Sequence, residues 1–228
     1  MREIVLDTET TGLDPAAGDR IVEIGAVELV NHMPTGRIYH AHVNPQRAVP
    51  EEAVAVHGLT TAFLAGKPVF ADVADEFLDF LGEGRLVIHN AAFDMKFLNA
   101  EFGWCGRPLL APGRALDTLD LARRRFPGAA NTLDALCRRF GIDNSGRVKH
   151  GALLDSELLA EVYLELIGGR QPDLTLTVTA GSSGGAATVA WVAPPRPRPL
   201  PPRIAAAEAE AHARLVAELG EAALWARL

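Results

Sequence analysis

The chain has 228 residues, a formal net charge of −7, 48% apolar and 22% charged residues, and two cysteines, Cys105 and Cys137. That length suits one domain with an appendage, and two cysteines supply neither a disulfide framework nor a metal-ligand spacing, which fits a reducing compartment. No stretch is apolar and long enough to span a bilayer, so a cytoplasmic protein without membrane contact is expected; the acidic balance argues against a broad basic grip on duplex DNA, unless some acids bind cations that invert the local charge.

Residues 2–7 are β-prone and 20–29 mostly alternate, the mark of a strand with one polar face. A third strand is read at 36–43, and the short connections between the three favour an antiparallel meander. Phe70, Val73, Ala74, Phe77, Leu78 and Leu81 fall at helical spacing over 70–81,, and Gly82 and Gly84 punctuate the end. Leu86-Val87-Ile88 reads as a buried strand, and 92–102 as a helix with Phe93, Phe97, Leu98 and Phe102 on one stripe. Ala115–Thr118 reads as a fifth strand leading into a helix near 119–126, and 132–140 and 152–167 as further helices. Three strands followed by alternating helix and strand imply an α/β domain with a mixed sheet, ending near Gly168-Gly169.

The composition then changes. Residues 170–203 hold Gly181-Ser182-Ser183-Gly184-Gly185 and the proline-dense run 194–202, which reads as a flexible, partly extended linker. Residues 204–228 return to helical composition, with Val216, Leu219, Ala223 and Trp225 on a rough apolar stripe too short to be stable alone. The expected division is therefore 1–169, 170–203 and 204–228.

Three segments carry candidate chemistry. In Asp7-Thr8-Glu9-Thr10-Thr11-Gly12, residues two apart on a strand share a face, so Asp7 and Glu9 set two carboxylates side by side. Such a pair repels unless a cation lies between them, and oxygen ligands suit magnesium or manganese; taken alone, the pair is also consistent with an acidic turn. In His89-Asn90-Ala91-Ala92-Phe93-Asp94, Asp94 falls in the first helical turn after a central strand, near the sheet edge where α/β sites form. By itself it reads equally as an acid that complements the helix dipole. In His150-Gly151-Ala152-Leu153-Leu154-Asp155, two positions five apart on one helix would lie about 140° apart. Co-operation therefore needs His150 off the helix, which Gly151 permits. A neutral imidazole there takes a proton from water at physiological pH; an isolated loop histidine is also an ordinary surface residue.

Together and in this order, the segments resemble the DEDDh exonuclease family, the proofreading group of the ribonuclease-H-like superfamily. Asp7 and Glu9 match its first motif, Asp94 its second, and His150 with Asp155 its third. Val56-His57-Gly58-Leu59-Thr60, Ile88–Asp94 and Thr132-Leu133-Asp134-Ala135-Leu136-Cys137 also look like stretches of its proofreading subunits, and the likeness covers residues 2–169. It implies a ribonuclease-H-like mixed sheet, a three-strand antiparallel meander plus two further strands, flanked by helices. It also implies Asp7, Glu9, Asp94 and Asp155 as ligands of two divalent cations, Mg2+ or Mn2+, about 3.5–4 Å apart. His150 is then the general base, and the activity is 3′→5′ removal of mispaired nucleotides from a DNA 3′ terminus as 5′-monophosphates. Asp7, Glu9, Glu52, His57 and Asp155 would meet the terminal nucleotide, although Glu52 also suits the start of a short helix after Pro50 and His57 a turn. The other readings are an RNA or oligonucleotide trimmer and a non-catalytic subunit that stabilises a polymerase; the long tail favours neither a trimmer nor a free-standing enzyme.

Weaker signals surround these. Arg123-Arg124-Arg125 and Arg138-Arg139 fit a solvated helix face better than phosphate contacts, whereas Arg147 and Lys149 beside His150 are better set to meet a phosphate. Phe102 and Trp104 suit core packing or a loop anchor better than base stacking. Gln171-Pro172-Asp173-Leu174-Thr175-Leu176 resembles a short sliding-clamp-binding peptide without its terminal aromatic, and reads equally as the start of the linker. Residues 204–228 resemble the tail by which such subunits bind the polymerase subunit, and a marginal helix on a long linker gains stability by docking; packing back on its own domain is the other reading.

Overall fold

The computed structural model describes residues 1–147, 149–168 and 204–220. The chain divides into a unit of Met1–Thr175 and one of Leu176–Leu228. The expected linker 170–203, the peptide 171–176 and residues 221–228 with Ala223 and Trp225 lie outside the described residues.

Five strands form one sheet: β1 (Arg2–Thr10), β2 (Ile21–Val30), β3 (Met33–His42), β4 (Arg85–Ile88) and β5 (Ala115–Asp117), in the order β3-β2-β1-β4-β5. β1 pairs antiparallel with β2, and β2 with β3, which is the expected meander. β4 and β5 add in parallel. The helices are α1 (Glu51–His57), α2 (Thr61–Leu64), α3 (Phe70–Leu81), α4 (Ala91–Trp104), α5 (Thr118–Arg125), α6 (Leu133–Phe140) and α7 (Ala152–Leu166). The sequence reading contains no helix at α2. It is a single turn whose start is fixed by the Thr60 side chain, which accepts the Phe63 amide, and one turn is too short to show a period.

Alternation along β1 builds two layers. Ile4 and Leu6 join Phe70, Phe77, Phe97 and Phe102 beneath α3 and α4. Val5 faces the other way, with Val27, Val87, Leu159 and Tyr163 beneath α7. Each such fully buried side chain contributes about 1.5–3 kcal/mol. Phe102 is thus a core residue as expected, while Trp104 is 54% exposed, with the Arg20 guanidinium 4.9 Å above its ring. Arg20 in turn forms a two-pronged pair with buried Glu101 at 2.8 and 2.7 Å, fastening α4 to the start of β2.

Two contacts fix the start of α7 against β2. The Ser156 hydroxyl donates to the Gly25 carbonyl at 2.9 Å, and the Ala152 amide donates to Glu23 Oε2 at 3.2 Å. A Cβ on Gly25 would lie 2.2 Å from the Ala152 carbonyl carbon, so only glycine admits the helix this close,. Both cysteines are free. Among the described residues, no helix is long and apolar enough to cross a membrane.

In the second unit, α8 (Ala206–Leu219) carries exposed Leu215 and Leu219 and a half-buried Val216.

Candidate active site

The carboxyl end of β1 presents Asp7 and Glu9 toward the face covered by α7, in register with Gly25 and Glu23 of β2. Asp94 comes from the first turn of α4. The turn is held by Asp117 at the end of β5, whose two carboxylate oxygens accept the Asn90 and Ala91 amides at 3.1 and 3.0 Å. The same side chain accepts the Leu119 amide and so caps α5 as well. Asp155 comes from the first turn of α7, and His150 precedes the helix, with Gly151 as its extended N-cap. This is the off-helix position that co-operation requires. The His150 amide donates to the Val56 carbonyl, which ties the loop to α1.

Asp7, Glu9, Asp94, His150 and Asp155 line one cleft of about 1030 Å³. Glu9, His150 and Asp155 each offer a ligand atom within 4.8 Å of the other two. Asp94 is 3% exposed and Asp155 4%; His150 is half-exposed, with Nδ1 3.6 Å from Asp155 Oδ2. Thr8, on the opposite face of β1, donates its hydroxyl to Asp94 Oδ1 at 2.7 Å.

Crowded acids in a desolvated cleft resist ionisation. Burial, then the charges of Asp94, Glu9 and Asp155, push the Asp7 carboxyl well above the usual carboxylate range. Burial, followed by Asp155 and Glu23, pushes Glu9 to about 8. Burial also pushes Asp94 to about 7, against the Thr8 hydrogen bond. An all-carboxylate set with one imidazole beside it, under this much mutual repulsion, has the donor chemistry of a divalent-cation site.

The cation that answers this charge is Arg147. Its Nε donates to Asp155 Oδ1 at 2.5 Å and its Nη2 to Oδ2 at 2.6 Å, while Nη1 reaches Asp134 at 2.9 Å. Nη2 also lies 2.9 Å from His150 Nδ1. A guanidinium only donates, so His150 accepts at Nδ1 and carries its proton, when neutral, on Nε2. The side chain expected to meet a phosphate is thus directed into the acids, whereas Lys149 is exposed and reaches the Val54 carbonyl at 3.3 Å.

Glu52 is exposed on α1. His57 closes the same helix and is buried, with Nδ1 accepting the Leu59 amide at 3.0 Å. Burial pushes its imidazole pKa down. Neither lines the main cleft. Of the arginine clusters, Arg123 lines the cleft and pairs with Asp120 at 3.7 Å. Arg125 donates to the Glu165 and Leu166 carbonyls, Arg138 to the Asp134 carbonyl, and Arg139 lies 4.2 Å over the Phe126 ring. Sequence reasoning passed over Thr8, Asp117 and Glu23. Their signal is indirect: a hydroxyl between two paired acids, an acid before a helix-starting threonine, and an acid inside an apolar strand.

The profile of the family described as Exonuclease matches residues 4–163. The DNA polymerase III epsilon subunit of Rickettsia felis is 56% identical over 174 residues, covering 75% of this chain and 76% of that protein. The same subunit of Escherichia coli K12 is 51% identical over 176 residues, covering 74% and 72%. Among solved structures, exonuclease X in complex with 5′-overhanging duplex DNA is similar with a TM-score of 0.57 at 28% identity, covering 72% of this chain and 90% of that one. Exonuclease I shares the fold, with a TM-score of 0.66 at 20% identity over 75% and 41% of the two chains.

Proposed function

This chain belongs to the exonuclease family, and from that membership we propose that it is the proofreading subunit of a bacterial replicative DNA polymerase, removing mispaired nucleotides from the DNA 3′ end through the cleft that Asp7, Glu9, Asp94, Asp155 and His150 line. It is a 3′→5′ exonuclease of the DNA polymerase III epsilon kind. The observation that carries the site assignment is the convergence of five residues from three distant stretches on one cleft.

The reaction is hydrolysis: a water oxygen bonds to the terminal phosphorus, the bond from phosphorus to the 3′ oxygen breaks, and that oxygen leaves with a proton. Asp7, Glu9, Asp94 and Asp155 would hold two Mg2+ or Mn2+ ions, which polarise the phosphodiester and offset the negative charge that develops on it. His150 receives the proton of the attacking water. Its half-exposed position ahead of α7 suits that task, and Nδ1 becomes available when Arg147 releases it. Arg147, once withdrawn from Asp155, is a cation beside the substrate phosphate. Asp7, Glu9 and Asp155 would border the terminal nucleotide, together with Glu52 and with the buried His57 at the end of α1, beside the loop that carries His150.

We assign residues 1–169 to the exonuclease domain and 170–203 to a linker, with 171–176 as a weak contact for the sliding clamp. The tail 204–228 would dock on the polymerase III alpha subunit; exposed Leu215 and Leu219 on α8 support that reading. The protein then works in the cytoplasm with the replisome. Alanine at both Asp7 and Glu9 should abolish release of 5′-monophosphates from a mismatched primer while leaving the circular dichroism spectrum unchanged; undiminished turnover would refute the assignment. Faster digestion of RNA than of a mismatched DNA primer would favour a trimming enzyme instead.

A further inference from the structure

A second group of ligand-type side chains lies outside the cleft. His40 and His42 are two apart on β3 and therefore share a face. Across the β2–β3 ladder, Glu23 is the register partner of His42, and Gly25 that of His40. Because Gly25 has no side chain, the His40 ring is free to lean toward Glu23. His40 Nε2 lies 2.7 Å from Glu23 Oε1, and His42 Nε2 lies 3.7 Å from the same oxygen. One donor atom from each of the three residues falls within 4.8 Å of the other two.

A hydrogen bond accounts for His40 but not for His42, whose nitrogen is too far away to donate to that oxygen. A tetrahedral zinc ion with ligand bonds of 2.0–2.1 Å sets its ligands about 3.3 Å apart. The two spacings to Glu23 bracket that value and the donors of His40 and His42 lie within 4.8 Å of each other, so ring rotations would bring the three donors to one ion. Burial, more than any neighbour, pushes the His42 imidazole down, against the charge of Glu23 and with those of His40 and Lys67. A neutral ring is the form that binds a metal. The Phe63 ring packs edge-on against His42, with centroids 5.0 Å apart. Glu23 is 7% exposed in its side chain, against 35% for His40 and 24% for His42; the two imidazoles thus form an accessible mouth over a buried carboxylate.

We propose that Glu23, His40 and His42 form a binding site for one zinc-class transition-metal ion, separate from the carboxylate cleft. Two imidazoles select zinc, cobalt or nickel over magnesium, whereas the cleft, rich in carboxylates, favours magnesium and manganese. The other oxygen of Glu23 holds the amide of Ala152 at the start of α7. An ion on Glu23 therefore clamps edge strand β3, strand β2 and the helix that carries Asp155.

The test is a Zn2+ titration of the full chain against a chromophoric chelator in excess Mg2+, comparing wild type, His40→Gln with His42→Gln, and Asp7→Asn with Glu9→Gln. The wild type should bind one more equivalent of Zn2+ than the histidine variant, and the variant with altered acids should keep that equivalent with an affinity within threefold of wild type. Equal stoichiometry in wild type and histidine variant would overturn the proposal, as would loss of the equivalent from the acid variant alone. Should the histidine variant not fold, imidazole 15N shifts of the wild type under Zn2+ decide the matter. Movement of His40 and His42 supports the site, and unmoved signals from both remove it.

Discussion

Arg147 grips Asp155 through both carboxylate oxygens, at 2.5 and 2.6 Å, with side chains only 7% and 5% exposed. Breaking a buried ion pair from one side costs about 3–5 kcal/mol, because the other charge stays buried and unpaired. Arg147→Met should therefore lower the metal-free unfolding free energy by about that amount. A cation in the cleft would then take over the task of the guanidinium, so Mn2+ should raise the melting temperature of the variant by more than that of the wild type. Thermal melts with chelator and with Mn2+ measure both. Equal Mn2+ shifts in the two proteins would show that the arginine and the ion do not compete for Asp155.

Asp94 depends on a residue from the far face of β1. The Thr8 hydroxyl donates to Asp94 Oδ1 at 2.7 Å, and both residues are buried. Partners that orient a metal-ligating carboxylate are worth about 10–100-fold in affinity or activity. Thr8→Val keeps the shape and removes the donor, so Mn2+ affinity and turnover should fall by about that factor, while Thr8→Ser should retain most of both. Calorimetric titration with Mn2+ and primer digestion read the two effects. A valine variant with wild-type affinity would show that backbone geometry alone positions Asp94.

Close approach at Gly25 sets where Asp155 sits. An added Cβ would meet the Ala152 carbonyl carbon and the Leu153 nitrogen at 2.2 Å, both of them backbone atoms that cannot swing aside. Gly25→Ala should cost about 3 kcal/mol, at the upper end of ordinary overpacking, and should depress turnover as α7 shifts. Gly113→Ala, where nothing lies within 4 Å of the new atom, is the control. Urea denaturation of both variants checks the contrast, and similar midpoints would mean that α7 moves away at little cost.

Helix α3 and strand β2 were legible because each shows its period, whereas β1 and β4 were read from β-prone and apolar runs without one,. Phe70 to Leu81 repeats at helical spacing and coincides with α3, and the alternation over 20–29 coincides with β2 to within a residue. The five residues of the cleft were singled out by the likeness of their three segments, taken together, to the DEDDh family, because each segment alone has an ordinary structural reading as well. What the chain hides is pairing. No pattern along the sequence links Arg147 to Asp134 and Asp155, since that contact forms only when α6, the loop before His150 and α7 meet. Glu23 was equally hidden, for it sits inside an apolar strand, and its partners His40 and His42 are revealed by the register of β2 against β3.

The acid limb of stability should report on His89, on the loop at the carboxyl end of β4. Its Nδ1 lies 2.9 Å from the Thr118 hydroxyl, which itself donates to the Ile88 carbonyl at 3.2 Å, so the ring donates at Nδ1. Burial pushes the His89 pKa down, more strongly than Asp117 and the Asn131 backbone push it up. The unfolded chain, with a pKa near 6.5, then takes up a proton at a pH where the folded chain does not. The contribution of His89 is therefore fully present above that value, and it is lost as the pH falls through the folded pKa. His57 is shifted the same way and adds to the slope. His89→Gln should flatten, without abolishing, the fall in unfolding free energy between about pH 7 and pH 5. Urea titrations across that range, with histidine proton shifts recorded in parallel, measure both quantities; a slope unchanged by the substitution, or a His89 signal titrating at 6.5 or above, would show that the ring is solvated and free to take its proton.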